Sequence, residues 1–186
     1  MASRDEEFAR FFDELYPSLC RFLACLLGGQ GAGHASAQDI AQDAFLRLHR
    51  EGFDKFPHGE ARFWLFRVAR NLALNELTKR QTRHRLFDKV VATFRTHAPS
   101  PAEEFESEER RGRIAEVLKT LPEHQRAALL LREQGEMSYR EIADVLNVSE
   151  AKVKVDIFRA RTAMRERWGK AQNATPLPRG ANRETR

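Results

Sequence analysis

Between Ser138 and Trp168 the chain reads SYREIADVLNVSEAKVKVDIFRARTAMRERW, and few folds accommodate that order of signals. Ser138 stands three residues before Glu141, the spacing of a capping box, in which hydroxyl and carboxylate each satisfy a backbone N–H that the first helical turn leaves unpaired. A short helix to about Leu146 then turns Ile142, Val145 and Leu146 inward. Asn147 falls where a tight turn needs a left-handed backbone, which asparagine tolerates better than most residues. Ser149 caps a second helix, on which Val153 and Ile157 face inward. Lys152, Lys154, Val155, Asp156, Phe158 and Arg159 are left to solvent and a partner. Helix, tight turn and basic second helix describe a helix-turn-helix, whose second member lies in the major groove of DNA. The alternative is a helical hairpin with a solvated basic face, which would not require cap, turn and charge to agree; here they do.

The remainder of the chain is helical in its period. From Glu6 to Leu27 the apolar residues Phe8, Phe11, Phe12, Leu15, Leu19, Phe22, Leu23 and Leu26 recur at steps of three and four, one amphipathic helix interrupted by Pro17. The run GGQGAGHAS is expected to be a loop, with Ser36 capping a second helix over Ala37 to Arg50. That helix buries Ile40, Ala41, Ala44, Phe45 and Leu48 and turns Gln38, Asp39, Gln42, Asp43 and Arg47 outward. After GFDKFPHGE comes a third helix, Ala61 to Arg83, with an inner stripe of Leu65, Val68, Ala69, Leu72 and Leu77 and an outer face of Arg67, Arg70, Asn71, Asn75 and Lys79.

Prolines and a run of glutamates then oppose a packed core until the helical pattern resumes at Arg110 through Ile114, Val117, Leu118 and Leu121. No strand-like alternation of useful length occurs. The expected fold is all-α: two small helical domains, 1–83 and 110–168, joined by a flexible linker, 84–109, the C-terminal one containing the helix-turn-helix. A polar tail, 169–186, is expected to be disordered.

Charge agrees with the motif, since an excess of Lys and Arg gives +5 and an isoelectric point near 9.5, suited to a polyanion. At 32% charged residues, and with no window near the ~20 apolar residues of a membrane span, the chain is expected to be cytoplasmic with no membrane insertion. An enzymatic reading finds little support. The six histidines are scattered, no HExxH or CxxC spacing occurs, and Asp39 and Asp43, one turn apart, lack a further ligand. No catalytic residue, metal or cofactor is expected. Cys20 and Cys25, five apart, do not share a helix face and read as reduced thiols.

Two blocks, roughly Glu6 to Arg83 and Arg110 to Trp168, resemble the extracytoplasmic function (ECF) sigma factors of bacterial RNA polymerase. In the second block the matching signals are Leu121-Pro122, Leu129 to Arg132, Ser138-Tyr139, Glu141-Ile142-Ala143 and Arg159-Ala160-Arg161. In the first, AQDIAQDAFLRLHR is similar to the helix that docks on the polymerase clamp and FWLFRVARNLALNEL to the promoter-melting helix. The resemblance implies a specificity subunit that catalyses nothing, working with core RNA polymerase and promoter DNA, and an anti-sigma factor as a further partner. It implies that Asp39, Gln42, Asp43 and Arg47 hold the polymerase. Phe56 and His58 would capture an unstacked base of the minus-ten element, with Trp64, Arg67, Arg70, Asn71 and Asn75 on the non-template strand. Arg140, Lys152, Lys154, Val155, Asp156, Phe158 and Arg159 would meet the minus-35 element.

The sequence departs from the family where a small polar residue followed by arginine is common and Val155 and Asp156 stand instead. Valine can contact a thymine methyl; Asp156 either accepts from a cytosine amino group or pairs with Lys152 or Arg159 to order the helix. The linker carries the acidic run Glu103 to Glu109, which by resemblance threads the polymerase channel that later holds RNA. The principal rival is an ordinary transcription factor using the same helix-turn-helix, which would bind duplex DNA by itself, usually as a dimer.

Overall fold

The computed structural model describes residues 3–28, 32–57, 59–87 and 112–173, and these are helical throughout, with no strand among them. Helix α1, Arg4–Leu27, starts at a second capping box: Ser3 Oγ accepts from the Glu6 N–H at 3.2 Å and the Ser3 N–H donates to Glu6 Oε2 at 2.9 Å. Asp5, Glu6 and Glu7 in the first turn complement the positive end of the helix dipole. Pro17 is carried inside α1 without ending it, and Gly28 closes the helix at φ 101°, a left-handed conformation that favours glycine.

Helix α2, Ala32–Glu51, begins five residues earlier than expected. The end of the glycine-rich run contains alanines and no proline, so it can join the helix. Ser36, expected as a cap, is instead tied to the third helix by a hydrogen bond from Arg80 Nη2 at 2.5 Å. A short 3-10 turn, Phe53–Lys55, leads to α3, Glu60–Phe87, which overruns the expected end at Arg83.

These three helices bury Leu19, Phe22, Leu26, Ala41, Phe45, Leu48, Leu65 and Ala69. The inner face of α3 also contains Phe66 and Ala73, both fully buried, whereas Val68, Leu72 and Leu77 are only partly covered. Phe66 meets Phe22 edge to face at 5.5 Å. At the other end of the bundle Phe8, Phe11 and Phe53 gather around one another and around Phe45, with ring centroids 4.8–6.3 Å apart.

The C-terminal block consists of α4 (112–119), α5 (Glu123–Glu133), α6 (Tyr139–Leu146) and α7 (Glu150–Asn173). Leu118, Leu121, Leu130, Leu131, Met137, Ile142, Val145, Val153, Ile157 and Ala160 form its core, while Ile114, expected inside, is 36% exposed. Helix α7 continues five residues beyond Trp168. Most of the linker and the end of the tail, 88–111 and 174–186, lie outside the described residues, and so do the acidic run Glu103 to Glu109 and His58.

The two blocks touch. Helix α5 packs on α1 and α6 on α3, so that the buried residues of both form one continuous cluster.

Candidate nucleic-acid interface

The helix-turn-helix is built as its local signals require. Ser138 Oγ accepts from the Glu141 N–H at 3.3 Å and the Ser138 N–H donates to Glu141 Oε2 at 2.6 Å, closing the capping box. That backbone hydrogen bond, which stabilises the ionised form, is the main reason the Glu141 carboxyl lies below its ordinary range. Asn147 ends α6 at φ 53°, ψ 52°, the left-handed turn its side chain tolerates. Ser149 Oγ then accepts from the Lys152 N–H at 3.3 Å and starts α7.

On α7, Val153, Asp156, Ile157 and Ala160 are buried. Lys152, Lys154, Val155, Phe158 and Arg159 point outward, Val155 at 45% and Phe158 at 66% exposure. Arg140 is exposed on α6. An apolar pair standing among cations suits a surface that neutralises phosphates and touches base edges. Asp156 corrects the expectation that it belongs to this face. Its side chain is only 2% exposed, its two oxygens accept from Lys152 Nζ at 2.9 and 3.2 Å, and His124 Nε2 of α5 lies 3.6 Å away. The enclosed carboxylate pairs with Lys152, which is one of the two arrangements open to it from the sequence.

Tyr139, not singled out from sequence as a contact residue, is central to a second feature. Its ring carries the Arg132 guanidinium 5.3 Å and Lys154 Nζ 5.7 Å from its centroid. It lines a cavity of about 810 Å³ together with Leu129, Ile157, Phe158 and Met164.

In the turn before α3 and on α3 itself, the described residues expected at melted DNA separate into three groups. Phe56 and Trp64 sit together, ring centroids 5.5 Å apart, both half-buried against the core. Asn71 and Asn75 are exposed. Arg67 and Arg70 turn toward the C-terminal block: Arg67 Nη2 donates to the Asp144 carbonyl at 2.6 Å, and Arg70 makes a bidentate pair with Glu123 at 2.8 and 2.9 Å.

On α2, Asp39 and Gln42 are exposed, and Asp43 and Arg47 form a two-bond ion pair at 3.0 and 3.1 Å, each about half exposed. Leu46, 56% exposed, stands on the same face and was not recognised from sequence. A leucine displayed beside a charged pair marks a protein-contact surface better than a DNA one. No helix among the described residues is long and apolar enough to cross a membrane.

Comparison with known proteins agrees with this architecture. Residues 11–83 match the family model Sigma-70 region 2 and residues 111–164 match Sigma-70, region 4. The chain is 28% identical over 172 residues to the ECF RNA polymerase sigma factor SigM of Bacillus subtilis, covering 91% of this chain and 97% of that one. It is 33% identical over 136 residues to the ECF RNA polymerase sigma-E factor of Escherichia coli K12, covering 68% and 70%. Among solved structures, the sigma factor RpoE of Bartonella quintana, crystallised with the anti-sigma factor NepR, superposes with a TM-score of 0.67 at 22% identity, over 88% of this chain and 97% of that one. The half-exposed Asp43–Arg47 pair lies inside the region 2 match and the exposed face of α7 inside the region 4 match, and with relatives of this identity and coverage the chain belongs to the ECF sigma factors of the sigma-70 family.

Proposed function

We propose that three separate surfaces carry the sigma function of directing RNA polymerase to promoters. The α2 face of Asp39, Gln42, Asp43, Leu46 and Arg47 holds core polymerase. The turn before α3 and its outer side, through Phe56, His58, Trp64, Arg67, Arg70, Asn71 and Asn75, captures the melted minus-ten strand. The exposed side of α7, through Lys152, Lys154, Val155, Phe158 and Arg159 with Arg140 of α6, reads the minus-35 duplex.

The observation that carries the last assignment is the exposure of Val155 and Phe158 among cations on the second helix of a helix-turn-helix. Apolar side chains left in water on a DNA-facing helix find partners in thymine methyl groups. With Asp156 withdrawn, Val155 is the residue that sets this factor's minus-35 preference. A chain of this kind works in the cytoplasm, with no chemistry of its own. An inhibitor of the anti-sigma class is its expected regulator, as NepR accompanies the Bartonella protein.

Run-off transcription with purified core polymerase and templates from the source genome tests the assignment. Defined starts that need both protein and core support it, with Val155→Ser changing the preferred minus-35 sequence. Tight binding of duplex DNA by the protein alone, with no gain in initiation by core, overturns it in favour of an ordinary transcription factor.

A further inference from the structure

Asp156 is the only buried carboxylate among the described residues, and it stands on α7, whose other described acids, Glu150 and Glu166, remain in water. Burying a charge costs free energy unless an opposite charge and hydrogen bonds offset it. The offset comes from Lys152, one turn earlier, whose Nζ donates to Oδ2 at 2.9 Å and to Oδ1 at 3.2 Å. His124 Nε2 of α5 stands 3.6 Å from Oδ1, so a second helix helps to enclose the acid. The lysine itself stays at the surface, its side chain 48% exposed. An ammonium has three N–H groups; Asp156 takes two, and one is left for an acceptor outside the protein.

Other ion pairs of α7 are built differently. Lys154 with Glu150 at 2.9 Å and Arg161 with Glu133 at 2.7 Å join side chains that are all about half exposed, so acid and base can part into water at little cost. A carboxylate enclosed between α7 and α5 cannot follow its lysine outward. Lys152 is therefore held by an acceptor whose position the fold dictates.

We propose, on the reading of α7 as the helix that meets the minus-35 duplex, that Asp156 is a positioning residue: from beneath the surface it fixes the Lys152 ammonium, in the first turn of α7, for one phosphate of that duplex. A mobile lysine loses rotamer entropy when it grips a phosphate. Here much of that loss is met during folding, before DNA arrives, which is the advantage of a preorganised contact. The acid repels the same phosphate, but it is buried and the ammonium is exposed, so the attractive charge is the nearer one. Phosphate contacts set the register of a helix on the duplex and carry no sequence information themselves. A fixed Lys152 thus seats α7, and Val155, three residues on, is left to meet a base edge.

The test measures binding of polymerase holoenzyme, assembled with the full chain, to labelled minus-35 duplexes as salt is varied. Lys152→Ala should weaken all sequences alike and reduce the slope of log affinity against log salt by about 1. Asp156→Asn, close in shape, should weaken all sequences about threefold or more with the slope retained, because the lysine keeps its charge and loses its anchor. In a Lys152→Ala background the same change should cost nothing further, since the two residues act as one unit. Glu150→Gln, which removes an equal charge from the exposed side of α7, should not weaken binding. Circular dichroism identifies any variant that fails to fold, and Asp156→Ala takes the place of Asp156→Asn in that case. Equal weakening by Asp156→Asn with and without Lys152 means that the acid only orders the helix, and overturns the proposal. Unchanged or tighter binding in the single Asp156 variant, an unchanged slope in Lys152→Ala, or an equal loss in Glu150→Gln overturns it as well. Failure of the sigma assignment shows separately, as no initiation by core with the unaltered protein.

Discussion

Asp156 and Lys152 are one helical turn apart on α7, the carboxylate 2% exposed and the ammonium 48%, joined at 2.9 Å. The pair is asymmetric: the acid is enclosed between α7 and α5 while the base remains in water. Removing Asp156 therefore leaves no buried charge behind, and the cost stays below the roughly 3–5 kcal/mol of breaking a fully buried pair. Asp156→Ala should destabilise the protein by about 1–2 kcal/mol, the worth of charge-assisted hydrogen bonds together with lost packing. Chemical denaturation measures this. In a promoter library the same variant should change no single base preference, whereas Val155→Ser should change one.

Asp43 and Arg47 separate stability from partner binding. As an exposed i,i+4 pair they contribute only about 0.3–0.5 kcal/mol to folding. As the charged part of a docking face beside Leu46 they should matter far more to polymerase. Asp43→Ala should weaken binding to core by about tenfold or more, the range of an interface hot spot, with a melting temperature almost unchanged. Exchanging the two residues rebuilds the intrahelical pair with its polarity reversed. The exchanged protein should fold as before and still fail to bind core, measurable by competition with another sigma factor.

What could be read from the sequence was local. Ser138 with Glu141, Asn147 at the turn and Ser149 before α7 each bond to a partner no more than four residues away, so local spacing carries their conformation, and each is found in its expected role. The same spacing occurs at Ser3 and Glu6, ahead of the apolar pattern that begins at Phe8. The early start of α2 was hidden by glycines, which signal a loop even where neighbouring alanines extend a helix.

Non-local relations were not legible. Periodicity shows that Arg67 and Arg70 face away from Leu65 and Ala69, but not that Glu123 and the Asp144 carbonyl meet them, because those partners are 53 and 77 residues distant. Asp156 illustrates the same limit at shorter range. On a helical wheel it borders the stripe of Val153 and Ile157, and only the position of α5, with His124, decides that it lies inside rather than out.

The Ser138–Glu141 box gives the helix-turn-helix a defined pH response. The carboxyl of Glu141 is held below its ordinary range by the Ser138 N–H, so its ionised form binds better in the folded state than in the unfolded one. The stability it contributes is complete above the unfolded value of about 4.3 and is lost as pH falls through the lower folded value. Glu141→Gln should lower the melting temperature at pH 7, and the gap from the unaltered protein should close as acid is added below pH ~4. Ser138→Ala removes the reciprocal hydroxyl and should cost about 1 kcal/mol at neutral pH.

Lys154 and Arg159 distinguish positioning on phosphate from reading of bases. Both are exposed on α7, and Lys154 also approaches Glu150 at 2.9 Å and the Tyr139 ring at 5.7 Å. A side chain that neutralises one phosphate releases about one counterion, so replacing it by alanine should reduce the slope of log affinity against log salt by about 1. Measured with polymerase holoenzyme on minus-35 duplexes, Lys154→Ala should weaken all sequences alike and flatten the salt dependence. Phe158→Ala, which removes no charge, should leave the slope intact and lower affinity only where the duplex offers it an apolar edge. If Lys154→Ala instead leaves the slope unchanged, the lysine is held by Glu150 and Tyr139 in the complex as it is in the free chain, and the phosphate contacts of this helix pass to Lys152 and Arg159.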